Sequence, residues 1–383
     1  MSASELAEHL GYLTDPVKLD AYRAALREVV TPESVVLDLG AGTGLLGLLA
    51  LQAGARRVYA VDGGAILDLA RDVADLSGLA DRVTHVRGHS TQVELPEQVD
   101  VVVCDQIGGF VHDAGILGYY ADATARLLRP GGVLVPSSFE LWLTPVGNAD
   151  LASRVLDWHA GPEGVDLTPF ADAAANTEHR VNAPPDCRLG PGAAVAEIRA
   201  DHATHFGGGA ELDVDRQGAI CGLLGTFVAR MSPTVTLTNA PWAEKPMKRW
   251  QNLYPFPNLA DVGAGDRIEA TIDVSPKTGV VAWTGTIRRP SGADGPTFSQ
   301  DTLRGSFAGP ASIIRASDKW TPAPNEQRLA AARTVLDSAD GSRSVDDLAA
   351  LIEASHPGLF VGRDHARDFV RSVIGSIVDP SAG

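Results

Sequence analysis

Over the first 145 residues, short apolar runs alternate with stretches of helical periodicity. SVVLDL (Ser34–Leu39) is a near-continuous apolar run that closes on Gly40. Leu45–Ala53 then reads as a helix, Arg57–Val61 as a second strand and Ala65–Leu76 as a second helix. Val83–Arg87 and Val99–Cys104 add two strands and Tyr119–Leu128 a helix, and the chain turns through Pro130–Gly132 into a further strand. Strands alternating with helices specify a parallel, doubly wound sheet, so an α/β Rossmann-like domain is expected over residues 1–145.

The pattern changes after Pro145. From Glu197 to Arg288, runs such as AICGLLGTFVARM, DRIEATIDV and GVVAWTGTIRR alternate with period two between Gly, Pro and Asn. That is antiparallel sheet, and a β-barrel-like domain is expected over 146–322. Inside it, 161–191 is too polar for core and too long for a plain loop. Leu167, Phe170 and Ala174 within that insertion are spaced for one apolar helical face. The last part, 323–383, is helical again: NEQRLAAARTVLDSA, SVDDLAALIEAS and DHARDFVRSVIGSIV, with Ser344 as a helix cap. Leu348, Leu351 and Ile352 form an i, i+3, i+4 stripe there, the pattern of core packing.

A chain of 383 residues exceeds one ordinary core, in keeping with this division. Its formal charge of −16 argues against nucleic acid, whose phosphates demand Lys/Arg stripes, and tolerates a cationic substrate. Cys104, Cys187 and Cys221 are too far apart for a disulfide framework or a C-x-x-C site, so a reducing cytoplasm is the expected compartment. The stretch MSASELAEHL lacks the basic and apolar regions of a signal peptide, and the densest apolar run, Leu45–Leu51, is far short of a membrane span. His202 and His205 have H-x-x-H spacing without companion ligands, so no metal is expected.

Candidate chemistry begins at LDLGAGTGLLG (Leu37–Gly47). Read from Gly42, the loop fits the G-x-G-x-x-G of a nicotinamide or flavin site; read from Gly40, it is G-A-G-T-G, the usual form for S-adenosylmethionine. A strand must feed directly into the first glycine of such a turn, and SVVLDL ends at Leu39, so the frame Gly40-x-Gly42-x-Gly44 is the one that fits. Asp62 ends the next strand, where a carboxylate can accept from both ribose hydroxyls. Asp38 is an additional acid that dinucleotide sites do not require. S-adenosylmethionine is the expected cofactor, with a nicotinamide as the alternative.

LTDPVKLDAYRAAL, the loop through Asp62, VELPEQVDVVVCDQIGG and RWQ near Trp250, in that order, resemble the protein arginine methyltransferases, class I S-adenosylmethionine-dependent enzymes. The likeness runs from about His9 to Val146 and more faintly to about Gly305, leaving out the helical tail. It implies that His9 and Lys18 close over the cofactor, with Lys18 where the family has an arginine for the methionine carboxylate. Lysine supplies that charge without the bidentate fork. The resemblance further implies cofactor contacts from Asp38, Gly40, Gly42, Gly44, Asp62 and Gly63, adenine contacts from Ser90 and Thr91, and a homodimer built through the 161–191 arm.

Departures from the family pattern bear on the acceptor. Where the family clamps guanidinium between two glutamates, this chain has Asp105 and Ala114, with Asp113 adjacent and Asp122 further on. The family's Thr-His-Trp becomes Lys248-Arg249-Trp250, which adds a cation. Asp105, His112, Asp113 and Trp250 are therefore the candidate catalytic residues, Asp105 also at the cofactor. The expected activity is N-methylation of an amine on a peptide or small natural-product-like acceptor. A guanidino or O-methyltransferase, and a catalytically silent binding protein, are the alternatives. The tail segment LDSADGSRSVDDLAALIEASHP resembles small peptide-recognition units of peptide natural-product pathways, which leaves docking and plain packing both open for it.

Overall fold

The computed structural model describes residues 3–159, 161–202, 204–276, 279–306, 326–357, 359–360 and 363–375. Residues 1–308 form one compact unit and 309–383 a second.

The first unit begins with helices α1 (Ala3–Leu13) and α2 (Pro16–Val29), then alternates as expected: β1 (Val35–Leu39), α3 (Leu45–Gln52), β2 (Arg57–Asp62), α4 (Ile66–Leu76), β3 (Val83–Arg87), β4 (Val99–Val103), α5 (Ile116–Arg126), β5 (Leu128–Val135). The five strands pair in parallel in the order β3-β2-β1-β4-β5. Every residue of β1 is buried, because helices cover both faces of such a sheet. The order reverses between β1 and β4, so the ligand crevice lies beyond their carboxyl ends, at Gly40 and Asp105. Two local expectations shift: α5 starts at Ile116 rather than Tyr119, and Pro130–Gly132 lies within β5.

From Ser138 on the unit is antiparallel. Its elements are β6 (Ser138–Val146), α6 (Ala149–Leu156), α7 (Thr168–Ala175), β7 (His179–Val181), β8 (Ala193–Arg199), β9 (Phe206–Asp213), β10 (Gly218–Arg230), β11 (Thr236–Thr238), β12 (Gln251–Val262), β13 (Arg267–Ser275), β14 (Val280–Arg288), β15 (Asp294–Asp301) and a short α8 (Thr302–Ser306). They make a six-stranded sheet, β7-β12-β10-β6-β8 with β11 on β10, and a four-stranded sheet, β15-β14-β13-β9. The sheets do not close into one hydrogen-bonded barrel, so the arrangement is barrel-like rather than a continuous barrel. Strand β6 runs across the boundary expected at 145 and pairs along its whole length with β10. The alternation of β13 and β14 buries Ile268, Ile272, Val281 and Trp283 between the sheets. Trp283 Nε1 donates to the Pro255 carbonyl at 2.9 Å, which ties β14 to β12.

The helical tail comprises α9 (Glu326–Ser338), α10 (Val345–Ser355) and α11 (Arg363–Gly375). Ser344 caps α10 in a reciprocal box with Asp347. Leu348 and Ile352 are buried with Val335, Ala349, Ala366 and Val370 in a core of the tail's own, whereas Leu351 of the expected stripe is only half-buried and Ala349 takes the core position instead. The boundary expected near 322, and the last tail helix beyond 375, fall outside the described residues.

Candidate active site

Strand β1 delivers the chain into the glycine loop. Gly40, Gly42 and Gly44 have φ of +71°, +53° and +75°, the left-handed conformations that side-chain-bearing residues avoid. A Cβ at Gly40 would also strike the Gln106 side chain, which lies across the loop. Asp38, fully buried below, accepts the Gly47 N–H at 2.7 Å and so fixes the start of α3. Burial pushes the Asp38 carboxyl up to about 7; the Gly47 N–H opposes the rise, and Asp62 and Asp105 add to it. Asp62 at the end of β2 accepts the Gly42 N–H at 2.9 Å on one oxygen and the Gly64 N–H at 2.6 Å on the other.

A cavity of ≈ 310 Å³ opens beside this loop, walled by His9, Tyr12, Lys18, Gly42, Asp62 and Asp105. A second, of ≈ 100 Å³, is walled by Gly63, His89, Ser90 and Tyr119, and the two share Gly40, Asp62 and Gln106. The residues present fit S-adenosylmethionine. Lys18 offers a cation to a carboxylate, Asp62 has carboxylate lone pairs beyond its two backbone bonds for ribose hydroxyls, and the smaller cavity presents an aromatic and a backbone edge for a base. Of the expected cofactor residues, Asp38, Gly44 and Thr91 stand outside both linings: Asp38 braces the loop, Gly44 caps α3, and Thr91 is exposed, bonded to His89 Nδ1 at 2.8 Å.

The wall of the cleft around Asp105 grows from one N-cap. Asp15 precedes Pro16 and accepts the Lys18 N–H at 3.2 Å, starting α2; its other oxygen accepts the Lys248 N–H at 2.6 Å. One carboxylate thus fixes the backbone at Lys18 and next to Arg249, and both cations converge on Asp105. Lys18 Nζ pairs with Asp105 Oδ2, while Arg249 Nη2 lies 3.1 Å from the Asp105 carbonyl and 3.6 Å from Oδ1.

The loop after β4 holds the other candidates elsewhere. Val111 is buried at φ +72°, and Phe110 O accepts the His112 N–H at 2.9 Å across it, a γ-turn of the rare positive-φ kind. Asp113 is turned into its own loop. Its Oδ1 takes the Gly109 and Phe110 N–H groups at 2.9 and 3.2 Å, and Oδ2 takes Trp250 Nε1 at 3.2 Å. His112 Nε2 lies 3.1 Å from Glu178, which also accepts from Asn252. Burial lowers the His112 pKa, but the Glu178 hydrogen bond and charge, with Asp113 and the Phe110 carbonyl, hold it above the ordinary imidazole value. Asp122 pairs with Arg126 at 2.6 Å. Only Asp105 of the four catalytic candidates lines the cofactor cleft.

Tyr12, Gln106, Glu178, Arg180 and Asn239 were not singled out by sequence. Asn239 donates to the Gly109 and Trp250 carbonyls at 2.8 and 3.0 Å and clips the loop to the sheet. The dipeptide Asp15-Pro16 was a readable signal, a capping residue followed by proline at the first helical position. Among the described residues, no group of three or more His, Cys, Asp or Glu converges on a metal position, and no helix is long and apolar enough to cross a membrane.

Residues 36–132 match a methyltransferase domain family. The probable protein arginine N-methyltransferase 6 of Arabidopsis thaliana is 33% identical over 175 residues, 45% of this chain and 40% of that protein. Protein arginine N-methyltransferase 6 of Xenopus laevis is 34% identical over 187 residues, 47% of this chain and 55% of its own. This chain therefore spans about half the length of these curated relatives. Among solved structures, Arabidopsis thaliana protein arginine methyltransferase 10 superposes with a TM-score of 0.67 at 23% identity, over 78% of this chain and 98% of that one. The Trypanosoma brucei PRMT1 enzyme–prozyme heterotetrameric complex with AdoHcy gives 0.69 at 21% identity, over 76% and 96%. Fold and cleft agree with the domain match: residues 36–132 carry a methyltransferase domain, and the chain resembles the class I S-adenosylmethionine-dependent enzymes. Within that class it resembles the protein arginine methyltransferase family.

Proposed function

We propose that the protein transfers the methyl group of S-adenosylmethionine to an amine nitrogen of a peptide or small natural-product-like acceptor. When bound, the cofactor supplies an electrophilic methyl. The glycine loop and Asp62 would hold its nucleoside end, and Lys18, paired with Asp105, would offer its remaining N–H donors to the carboxylate. The observation that carries the acceptor class is the charge around Asp105. Its carboxylate is already met by Lys18 and Arg249, and Asp113 is spent on its own loop and Trp250. A guanidinium stays protonated in proteins and needs dense, open negative charge, which this arrangement does not offer. An amine beside two cations has its pKa lowered and presents the free lone pair that methyl transfer requires.

A second reading, methylation of protein arginine, is favoured by the names of the relatives. Mass spectrometry after incubation with terminal-amine peptides, free arginine and Gly/Arg-rich peptides separates the two. Methylation of the amines is the expected result, and robust methylarginine in the Gly/Arg-rich peptides would overturn the amine reading.

The same proposal includes a homodimer acting in the cytoplasm. Trp158, just before the arm, and Phe170 within it stack on each other at 5.2 Å, and both are exposed. Leu69, Val73 and Leu76 form an exposed apolar stripe on α4 that a partner's arm would cover.

A further inference from the structure

We infer that Arg249 is this site's specificity-determining residue: a guanidinium supplied by the chain itself, seated in a cation box that would otherwise accept one from an acceptor. The box has a carboxylate and two aromatic walls. Arg249 Cζ lies 5.2 Å from the Tyr12 ring centroid and 4.7 Å from that of Trp250, both inside cation–π range. Asp105 supplies the charge at 3.6 Å, and its backbone carbonyl a hydrogen-bond acceptor at 3.1 Å. The Arg249 side chain is only 5% exposed.

Tyr12 and Asp105 belong at once to this box and to the wall of the cofactor cleft. Arg249 therefore stands where an acceptor side chain approaching the cofactor would place its head group. Two atoms show that the fit to Asp105 is incomplete: Arg249 Nε and Asp105 Oδ1 are both buried and lack hydrogen-bond partners. Removing the Arg249 side chain would leave Asp105 paired with Lys18, so the carboxylate would not be stranded. What remains is a cavity with an aromatic on either side and a carboxylate oxygen open to a planar cation.

The inference rests on the methyl-transfer reading for its location, but its test measures guanidinium binding and not acceptor turnover. Arg249→Ala and Arg249→Ser are titrated with methylguanidinium at millimolar concentration, following tryptophan fluorescence and thermal stability, with a wild-type circular-dichroism spectrum as the check on folding. Methylguanidinium should bind these variants at least about tenfold more tightly than the wild type, the ratio that ~1.4 kcal/mol of cation–π attraction supplies. Folded variants that bind it no better than the wild type would overturn the inference. A second measurement does not depend on the variants. Phenylglyoxal labelling of the wild type, mapped by mass spectrometry, should modify Arg180, whose side chain is 58% exposed, and leave Arg249 unmodified. Equal labelling of the two would show that Arg249 is outside the box and would equally overturn it.

Discussion

The Asp38→Asn substitution should remove a pH-dependent penalty on folding. The unfolded carboxyl titrates near 3.8 and the buried one near 7. Between those values the folded chain keeps a proton that the unfolded chain has lost, so rising pH favours unfolding. The stability from this group is complete below about 3.8 and is lost as pH rises through about 7. At ~1.36 kcal/mol per pH unit, three units amount to ~4 kcal/mol, of which ~2 kcal/mol falls between about pH 5.5 and 7.5. The introduced amide keeps a carbonyl oxygen for the Gly47 N–H, so the bond that starts α3 survives. Urea denaturation of both proteins without cofactor, at half-unit steps over that range, measures the difference directly. The variant should gain on the wild type by ~2 kcal/mol from the acid to the alkaline end. A difference that stays flat with pH would refute the assignment of a neutral, buried Asp38.

Asp62→Ala should weaken AdoHcy by ~1.5–3 kcal/mol, roughly ten- to 150-fold in Kd by calorimetry, because hydrogen bonds to a carboxylate are lost; unchanged affinity would contradict the ribose role. Phe170→Asp should leave a monomer by light scattering, since a charge would have to be buried at the arm's apolar contact, and a persisting dimer would remove the arm from the interface. Glu178→Gln should destabilise the protein most at low pH. The raised His112 pKa means that its contribution is complete below about 6.5 and disappears as pH rises through the folded value, so the urea midpoints of variant and wild type should converge in alkali.

The parallel sheet and its loop were legible because β1, β2 and β4 are short valine-rich runs and the turn after β1 is marked by glycines. β1, β2, β3 and β4 fall within a residue or so of their expected bounds. The junction at Ser138 was not, because β6 (SFELWLTPV) reads the same whether it ends one sheet or begins the next, and only its pairing with β10 distinguishes them. Asp105 and Lys18 were readable as candidates from their place in the motifs. Their mutual ion pair, and the Asp15 carboxylate that brings Arg249 beside them across 233 residues of sequence, were not. His112 and Asp113 looked available because their sequence is that of a surface loop. The partners that engage them, Glu178 and Trp250, arrive from β-rich segments that no local pattern connects to that loop.

Val111 is a case of divided allegiance. Its backbone asks for glycine, at a cost of ~1–3 kcal/mol for any other residue, while burying its side chain returns ~1.5–3 kcal/mol. The turn in the loop after β4 therefore exists only as long as its surroundings keep that side chain covered. Phe110 beside it packs edge-on against Tyr254 of β12 at 5.5 Å, and Tyr254 in turn against Trp283. For a lineage descending from this protein, substitutions deep in the sheets thus reach the loop that carries Asp105, the residue on which the proposed acceptor class rests. A smaller residue at Tyr254 would loosen the packing of Phe110, the residue on which the turn begins. New acceptor preferences could arise from core drift alone, with every residue of the cofactor cleft unchanged.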